Sequence, residues 1–261
     1  MAYIKKVYRF ANAIEVEEYH SGRFGAPGKK REKRQRPTPE QVERINQKNK
    51  ETRCRRKLRA NFDINDYFTV LTYEKDLRPT DMEEAKKDFA KFISRVRKEY
   101  EARGHPLKWI RNIEVGTKGA WHVHLVINRI WDTDLILRQA WKKGRTYNEL
   151  LYEKGEFRDL AAYMTKTPKT DKRLREASYS TSRNLPIPEP EIRKIFRWPT
   201  FEGEPRIRKD TARTWYLDEE SFYEGVNKYG YRFRHYTLLR HRRDGCKSGF
   251  TSRAAVRTRA G

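Results

Sequence analysis

Two histidines stand one residue apart in the run GAWHVHLVIN, residues 119–128. Alternating side chains on a strand point to opposite faces, so His122 and His124 project together. Val123 and Leu125 take the other, buried side. Two imidazoles one strand-step apart can hold one metal ion; two ordinary half-buried histidines are the plainer reading of the pair alone. The preceding hairpin adds a third group. Thr117-Lys118-Gly119 reads as a three-residue loop, with glycine where the turn needs a left-handed residue and forms a bulge. That loop pairs Gly116 with Ala120 and sets Glu114 opposite His122, on the same face. A two-residue loop of Thr117 and Lys118 would turn Glu114 to the other face. Two nitrogens and one carboxylate, with positions left for water or a phosphate oxygen, suit Mn²⁺ or Mg²⁺ in a phosphoryl-transfer site. Zinc is a further candidate by ligand type.

A nucleophile is offered by AAYMTKTPK, where Tyr163 and Lys166 stand three residues apart on one helical face. A phenol titrates near pH 10 and is a weak nucleophile at neutrality. A neighbouring ammonium favours the phenolate and can steady charge on a leaving oxygen. The plain alternative is a surface tyrosine packed along a lysine stem.

These groups need a scaffold. YIKKVYRF and AIEVEEYH (within 2–20) alternate apolar and polar residues as two short strands joined near Asn12. Residues 21–40, rich in Gly, Pro and charge, read as a linker. Thr38, Pro39 and Gln41 form a helix start with a capping box. The helix that follows, to about Ala60, is almost all polar, and its second half is basic. It reads as a solvated helix or, since its charges share one sign, as a DNA-contacting arm bearing Arg53, Arg55, Arg56, Lys57 and Arg59; Lys169 is a further DNA-contacting candidate. DYFTVLTY (66–73) is a strand. PTDMEEAKKDFAKFISRVRKEYEARG is an amphipathic helix with an acidic first turn. Two strands flank the 117–119 loop, and TDLILRQAWKKG is a short helix. RTYNELLYEKG is ambiguous. The helix carrying Tyr163 should stop at Pro168. STSRNLPIPEPE is extended, and YGYRFRHYTLLRHR is a basic strand before a Gly/Ser/Arg tail.

Sixty Lys and Arg against 36 Asp and Glu give the 261 residues a formal charge of +24. Such an excess attracts phosphates, and an anionic membrane surface is the rival partner. No run reaches the length of a membrane span. Met1 is followed by Lys5, Lys6 and Arg9 with no signal-peptide core, which points to a cytoplasmic, DNA-associated protein. The two cysteines, Cys54 and Cys246, sit in basic surroundings expected to be exposed, and exclude a disulfide framework.

FTVLTY (68–73), HVH (122–124) and YMTK (163–166), in that order and on those element types, resemble the motifs of the HUH endonucleases. Specifically, they resemble the single-tyrosine rolling-circle replication initiators of bacterial plasmids, phages and integrative elements. YSTSRNLP (179–186) and the basic amino-terminal region are similar to those of phage and element initiators. The resemblance implies an α+β fold, with a central antiparallel sheet, flanking helices and ferredoxin-like topology, carrying basic extensions. The corresponding division is 1–60 as strands, linker and DNA-contacting arm, 61–170 as the endonuclease core, and 171–261 as an extension of unassigned role. It further implies that His122, His124 and Glu114 hold the metal and that Tyr163 cuts single-stranded origin DNA, leaving a 5′-phosphotyrosine and a free 3′-hydroxyl. No second tyrosine follows within a turn of Tyr163. No Gly-x-x-x-x-Gly-Lys-Ser/Thr phosphate loop is present, so a host helicase and polymerase are implied as partners, with an origin hairpin as substrate. A transposase or mobilisation relaxase of the same superfamily is the nearest alternative. A non-catalytic DNA-binding regulator is the alternative of another class.

Overall fold

A computed structural model describes residues 3–20, 38–116, 119–151, 157–166, 179–195, 203–205, 207, 209–226 and 231–241. Within these residues, ten strands fall into two five-stranded antiparallel sheets. The site-bearing sheet contains β3 (Tyr67–Thr72), β4 (Trp109–Val115), β5 (Trp121–Ile127), β6 (Thr146–Leu150) and β7 (Tyr179–Thr181), in the order β6-β3-β5-β4-β7. Two helices complete its connections: α2 (Met82–Ala102) between β3 and β4, and α3 (Thr133–Ala140) between β5 and β6. A β-α-β-β-α-β chain with its strands ordered last, first, third, second is the ferredoxin-like arrangement expected.

Period-two burial makes the sheet two-sided. Leu71, Trp109, Ile113, Val123 and Leu125 face one way and pack under α2 and α3 with Phe89, Phe92, Val96, Ile136 and Leu137. The start of α2 is fixed by Asp81, whose carboxylate accepts from the Glu84 N–H at 2.8 Å. On the opposite face, Ile110 and Val126 pack with Leu58, Phe157, Ala161 and Met164. Those residues come from α1 (Pro39–Asn61) and from α4 (Arg158–Thr165) with its preceding residue. Of the ambiguous segment after α3, Thr146–Leu150 form the edge strand β6 and residues 152–155 lie outside the described residues; the Thr38–Gln41 capping box is formed as read.

Both ends of the chain differ from the expected single central sheet with basic extensions. The first two strands, β1 (Tyr3–Arg9) and β2 (Ala13–His20), join β8 (Glu191–Ile195), β9 (Trp215–Val226) and β10 (Arg232–Arg240) in a second sheet, ordered β8-β1-β2-β10-β9. Val7, Ile14, Val16, Tyr236 and Leu238 form its own core. Residues 1–60 and 171–261 thus supply strands to one sheet.

The polar helix α1 is likewise not simply solvated. Cys54 and Leu58 are buried against the site-bearing sheet, which corrects the expectation of an exposed Cys54. Burial pushes the Cys54 thiol up to about 11, so it is protonated at neutral pH. Three of the helix's arginines turn to the second sheet. Arg55 Nε and Arg59 Nη1 lie 3.2 and 2.6 Å from Glu15 Oε1, and Arg56 Nε lies 2.9 Å from Glu15 Oε2. Arg56 also pairs with Glu17 and stacks on Tyr8 at 3.6 Å.

Burial pushes the Glu15 carboxyl up, but Arg55, Arg59 and Arg56 outweigh it and hold it at about 2. A carboxyl depressed by folding adds stability that is complete above its ordinary value of 4.5 and is lost as pH falls toward 2. Urea midpoints of the wild type should therefore drop across that interval. Glu15→Gln should lose about 3–5 kcal/mol at neutral pH, because the buried Arg59 and the half-buried Arg55 and Arg56 lose the Glu15 charge, and should flatten that acid limb. An unchanged limb in the variant would show that other carboxylates set it.

Candidate active site

The hairpin between β4 and β5 decides which groups meet. The Gly116 N–H donates to Ala120 O at 2.8 Å, and the Gly119 N–H to Gly116 O at 2.9 Å. Gly119 has φ +67°, the left-handed value that the three-residue loop requires. Thr117 and Lys118 themselves lie outside the described residues. The resulting register sets Glu114 opposite His122 and Asn112 opposite His124. All four side chains therefore share the face covered by α4, while Val123 and Leu125 are buried beneath α2.

Helix α4 is seated on that face by Ala161 and Met164, and it is preceded by Phe157, a buried residue with φ +50°. Its last turn is tied at two points. Gln47 Nε2 of α1 donates to Thr165 O at 3.3 Å and also to Glu51 Oε1 at 2.8 Å. Asn112 Nδ2 donates to Lys166 O at 3.5 Å. The tyrosine beside Met164 is thus held over the histidines by contacts from two other elements.

Tyr163, 37% exposed, places its hydroxyl 2.9 Å from His124 Nε2 and 3.4 Å from Glu114 Oε2. Glu114 Oε2 is 3.0 Å from the same His124 nitrogen. The hydroxyl is also 3.2 Å from His124 Nδ1, so it lies on the axis of neither nitrogen. Phe68 stacks beside His124 with centroids 6.0 Å apart and meets Tyr163 edge-on at 6.2 Å. The hydrogen bond from His124 lowers the Glu114 carboxyl, with the His124 and Lys166 charges and Tyr163 adding to it against desolvation. Burial raises the Tyr163 phenol, and the Glu114 charge raises it further. Desolvation and the His124 charge lower His122, with Arg78 contributing in the same direction.

Lys166 is exposed at the end of α4, and its charge is felt at Glu114. Of the basic residues read as DNA contacts, Arg55, Arg56 and Arg59 are engaged with Glu15, and Lys57 Nζ donates to Thr181 Oγ1 at 2.6 Å. Arg53 is exposed, and Lys169 lies outside the described residues. Among the rival tyrosines, Tyr179 pairs with Cys54, Tyr147 stands on β6 two strands from His124, and Tyr152 lies outside the described residues. Sequence reading did not single out Asn112 or Gln47. Asn112 was within reach, since it shares the parity of Glu114 on β4. Gln47 carries no local signal, because its partner is 118 residues away.

The donor types on this face fit a hard divalent cation with open positions. The Glu114 and His124 donor atoms lie 3.0 Å apart, within hydrogen-bond reach of each other. The third donor, His122, is on the same face, its ring centroid 6.3 Å from that of His124. Among the described residues no three His, Cys, Asp or Glu side chains already close on one point as a metal cage.

Residues 66–168 match the model of a family described as replication-associated protein ORF2. That segment begins one residue before β3, includes both histidines and ends just beyond Lys166. No curated protein and no solved structure matches the chain. Among the described residues, no helix is long and apolar enough to cross a membrane.

The register depends on a conformation that β-branched residues avoid. A Cβ at Gly119 would meet nothing within 4 Å, so the cost of substitution there is conformational. Gly119→Val should lower stability by about 1–2 kcal/mol, whereas Gly119→Asn should cost less because Asn tolerates left-handed backbone. Denaturant midpoints of the two variants measure the difference, and equal midpoints would argue against a left-handed Gly119.

Proposed function

We propose that this chain is a replication initiator that nicks single-stranded origin DNA through a tyrosine nucleophile. The observation that carries the reading is the convergence of Tyr163, His124 and Glu114, on elements far apart in sequence, inside the segment that matches a replication-associated family. In the proposed step the Tyr163 oxygen bonds to phosphorus as the bond from phosphorus to the 3′ oxygen breaks. The phenol proton passes to the Glu114 carboxylate beside it, and the released 3′ oxygen takes a proton to become the hydroxyl that a polymerase extends. DNA stays attached through a 5′-phosphotyrosine.

The environment of the phenol fits this division of labour. Burial and Glu114 hold it protonated, so it needs both an acceptor and added positive charge to attack. His122, His124 and Glu114 would hold Mn²⁺ or Mg²⁺, which when bound supplies that charge at the phosphate and beside the phenol. Lys166 adds a fixed cation on the Glu114 side. Gln47 and Asn112 fix the end of α4, and with it the approach of Tyr163, since attack demands a reacting distance of about 3–3.5 Å. The excess of Lys and Arg supplies sequence-independent affinity for DNA, and host helicase and polymerase complete the reaction's requirements.

Incubation with single-stranded origin DNA and Mn²⁺, followed by denaturing gel and peptide mass mapping, tests the reading. Wild type should give a covalent adduct at Tyr163. Tyr163→Phe should bind DNA normally and give none. His122→Ala and His124→Ala should abolish cleavage with most DNA affinity retained, and Lys166→Ala should slow it on the order of 10²-fold. An adduct mapped to Tyr147 or Tyr179 would overturn the choice of nucleophile. Undiminished cleavage by His124→Ala in chelator would overturn the role of the metal.

A further inference from the structure

Strand pairing extends the site sideways, onto exposed residues of β6. Val70 pairs with His124 on one side and with Tyr147 on the other, so Tyr147, Val70, His124 and Asn112 form one row across four strands. The next row runs through Thr72, His122 and Glu114. It reaches Arg145, whose N–H lies 3.3 Å from Thr72 Oγ1 and whose carbonyl accepts from the Thr72 N–H at 2.9 Å. Residues in one row of a sheet share a face, so Tyr147 and Arg145 look out on the same side as the two histidines. Apolar packing under α1 and α4 takes in Phe68 of β3 but no residue of β6. Tyr147 is 53% exposed and Arg145 is exposed.

Arginines flank the part of this strip next to the site, and Glu149 lies farther along β6 on the same face. Arg78, which follows the 3₁₀ turn after β3, lies near enough to His122 for its charge to be felt there, and its buried Nε has no hydrogen-bond partner among the described residues. An exposed aromatic ring continuous with a phosphoryl-transfer site and flanked by guanidinium groups matches a nucleic-acid single strand. Every base has a π-face to stack, and every linkage carries a negative charge.

We propose that the substrate strand leaves the catalytic centre over β3 toward the edge strand β6, with one base stacked on Tyr147 and its phosphates met by Arg145 and Arg78. The proposal rests on the nuclease reading and names the path of the single strand through that site. Two strand spacings of about 4.8 Å separate β6 from β5, so the stacked base neighbours the scissile phosphate without touching the reacting atoms. Tyr147 is therefore a positioning residue.

Fluorescence anisotropy with oligothymidylate, over a range of salt concentrations, separates stacking from charge and does not depend on cleavage. Tyr147→Ala should weaken binding on the order of tenfold or more with an unchanged salt slope, and Tyr147→Phe, which keeps the ring face, should restore it. Arg145→Ala should lower the salt slope by about one. A 2-aminopurine placed in the oligonucleotide should be quenched on binding to wild type and to Tyr147→Phe but not to Tyr147→Ala. Wild-type affinity and quenching in Tyr147→Ala would overturn the proposed path, as would a Phe variant as weak as the Ala variant. If wild type forms no adduct on origin DNA, the nuclease reading fails, and these binding measurements still report on the strip. If adduct forms while Tyr147→Ala binds normally, the path alone fails.

Discussion

The register of one hairpin governs everything at this site. Side chains on a strand alternate, so a slip of one residue between β4 and β5 would move Glu114 and Asn112 to the face packed under α2. The imidazoles would then lack a carboxylate partner, and the end of α4 would lose its tie to Asn112. What prevents the slip is local and long-range together. Gly119 accepts the left-handed turn, and Val123, Leu125 and Ile113 are fully buried on the far side, where a polar substitute would be expensive. The apolar face thus positions the polar one.

Helix α1 links that arrangement to the rest of the molecule. One side of it packs Leu58 and Cys54 against the site-bearing sheet, another presents three arginines to Glu15 of the second sheet, and Gln47 reaches the end of α4. A share of the chain's positive charge is therefore engaged within the protein. Net charge alone does not say which cations face outward and which are taken up by contacts within the protein.

The site was more legible in the sequence than the architecture around it. His122, His124, Glu114 and Tyr163 follow from strand parity, loop length and helix placement, each set within a few residues of the group concerned. The partners of Arg55, Arg56 and Arg59 were not legible, because Glu15 lies 40 or more residues away and a basic helix looks the same whether it faces solvent or a buried carboxylate. The burial of Cys54 escaped for the same reason. The second sheet escaped because its strands are scattered: β9 carries many charged residues, and the pairing of β2 with β10 joins residues 216 or more positions apart. Periodicity reports which face a strand buries, and it is silent on which strand lies alongside.

The pairing of β2 with β10 also sets a schedule for folding. Arg234 binds Glu18 across 216 residues, whereas β3 to β6 and their two helices close within one continuous stretch. Contacts between distant residues carry a greater loop-closure cost and form late. During synthesis the site-bearing sheet can collapse as its own segment emerges, while β1 and β2 have no β8 or β10 to pair with until residues 191–240 have been made. Glu15 can meet the arginines of α1 before that, since at most 44 residues separate them. The amino-terminal hairpin would then stand on the nascent chain with β1 and β2 each lacking a neighbour, an open template for pairing with another chain until β8 and β10 arrive.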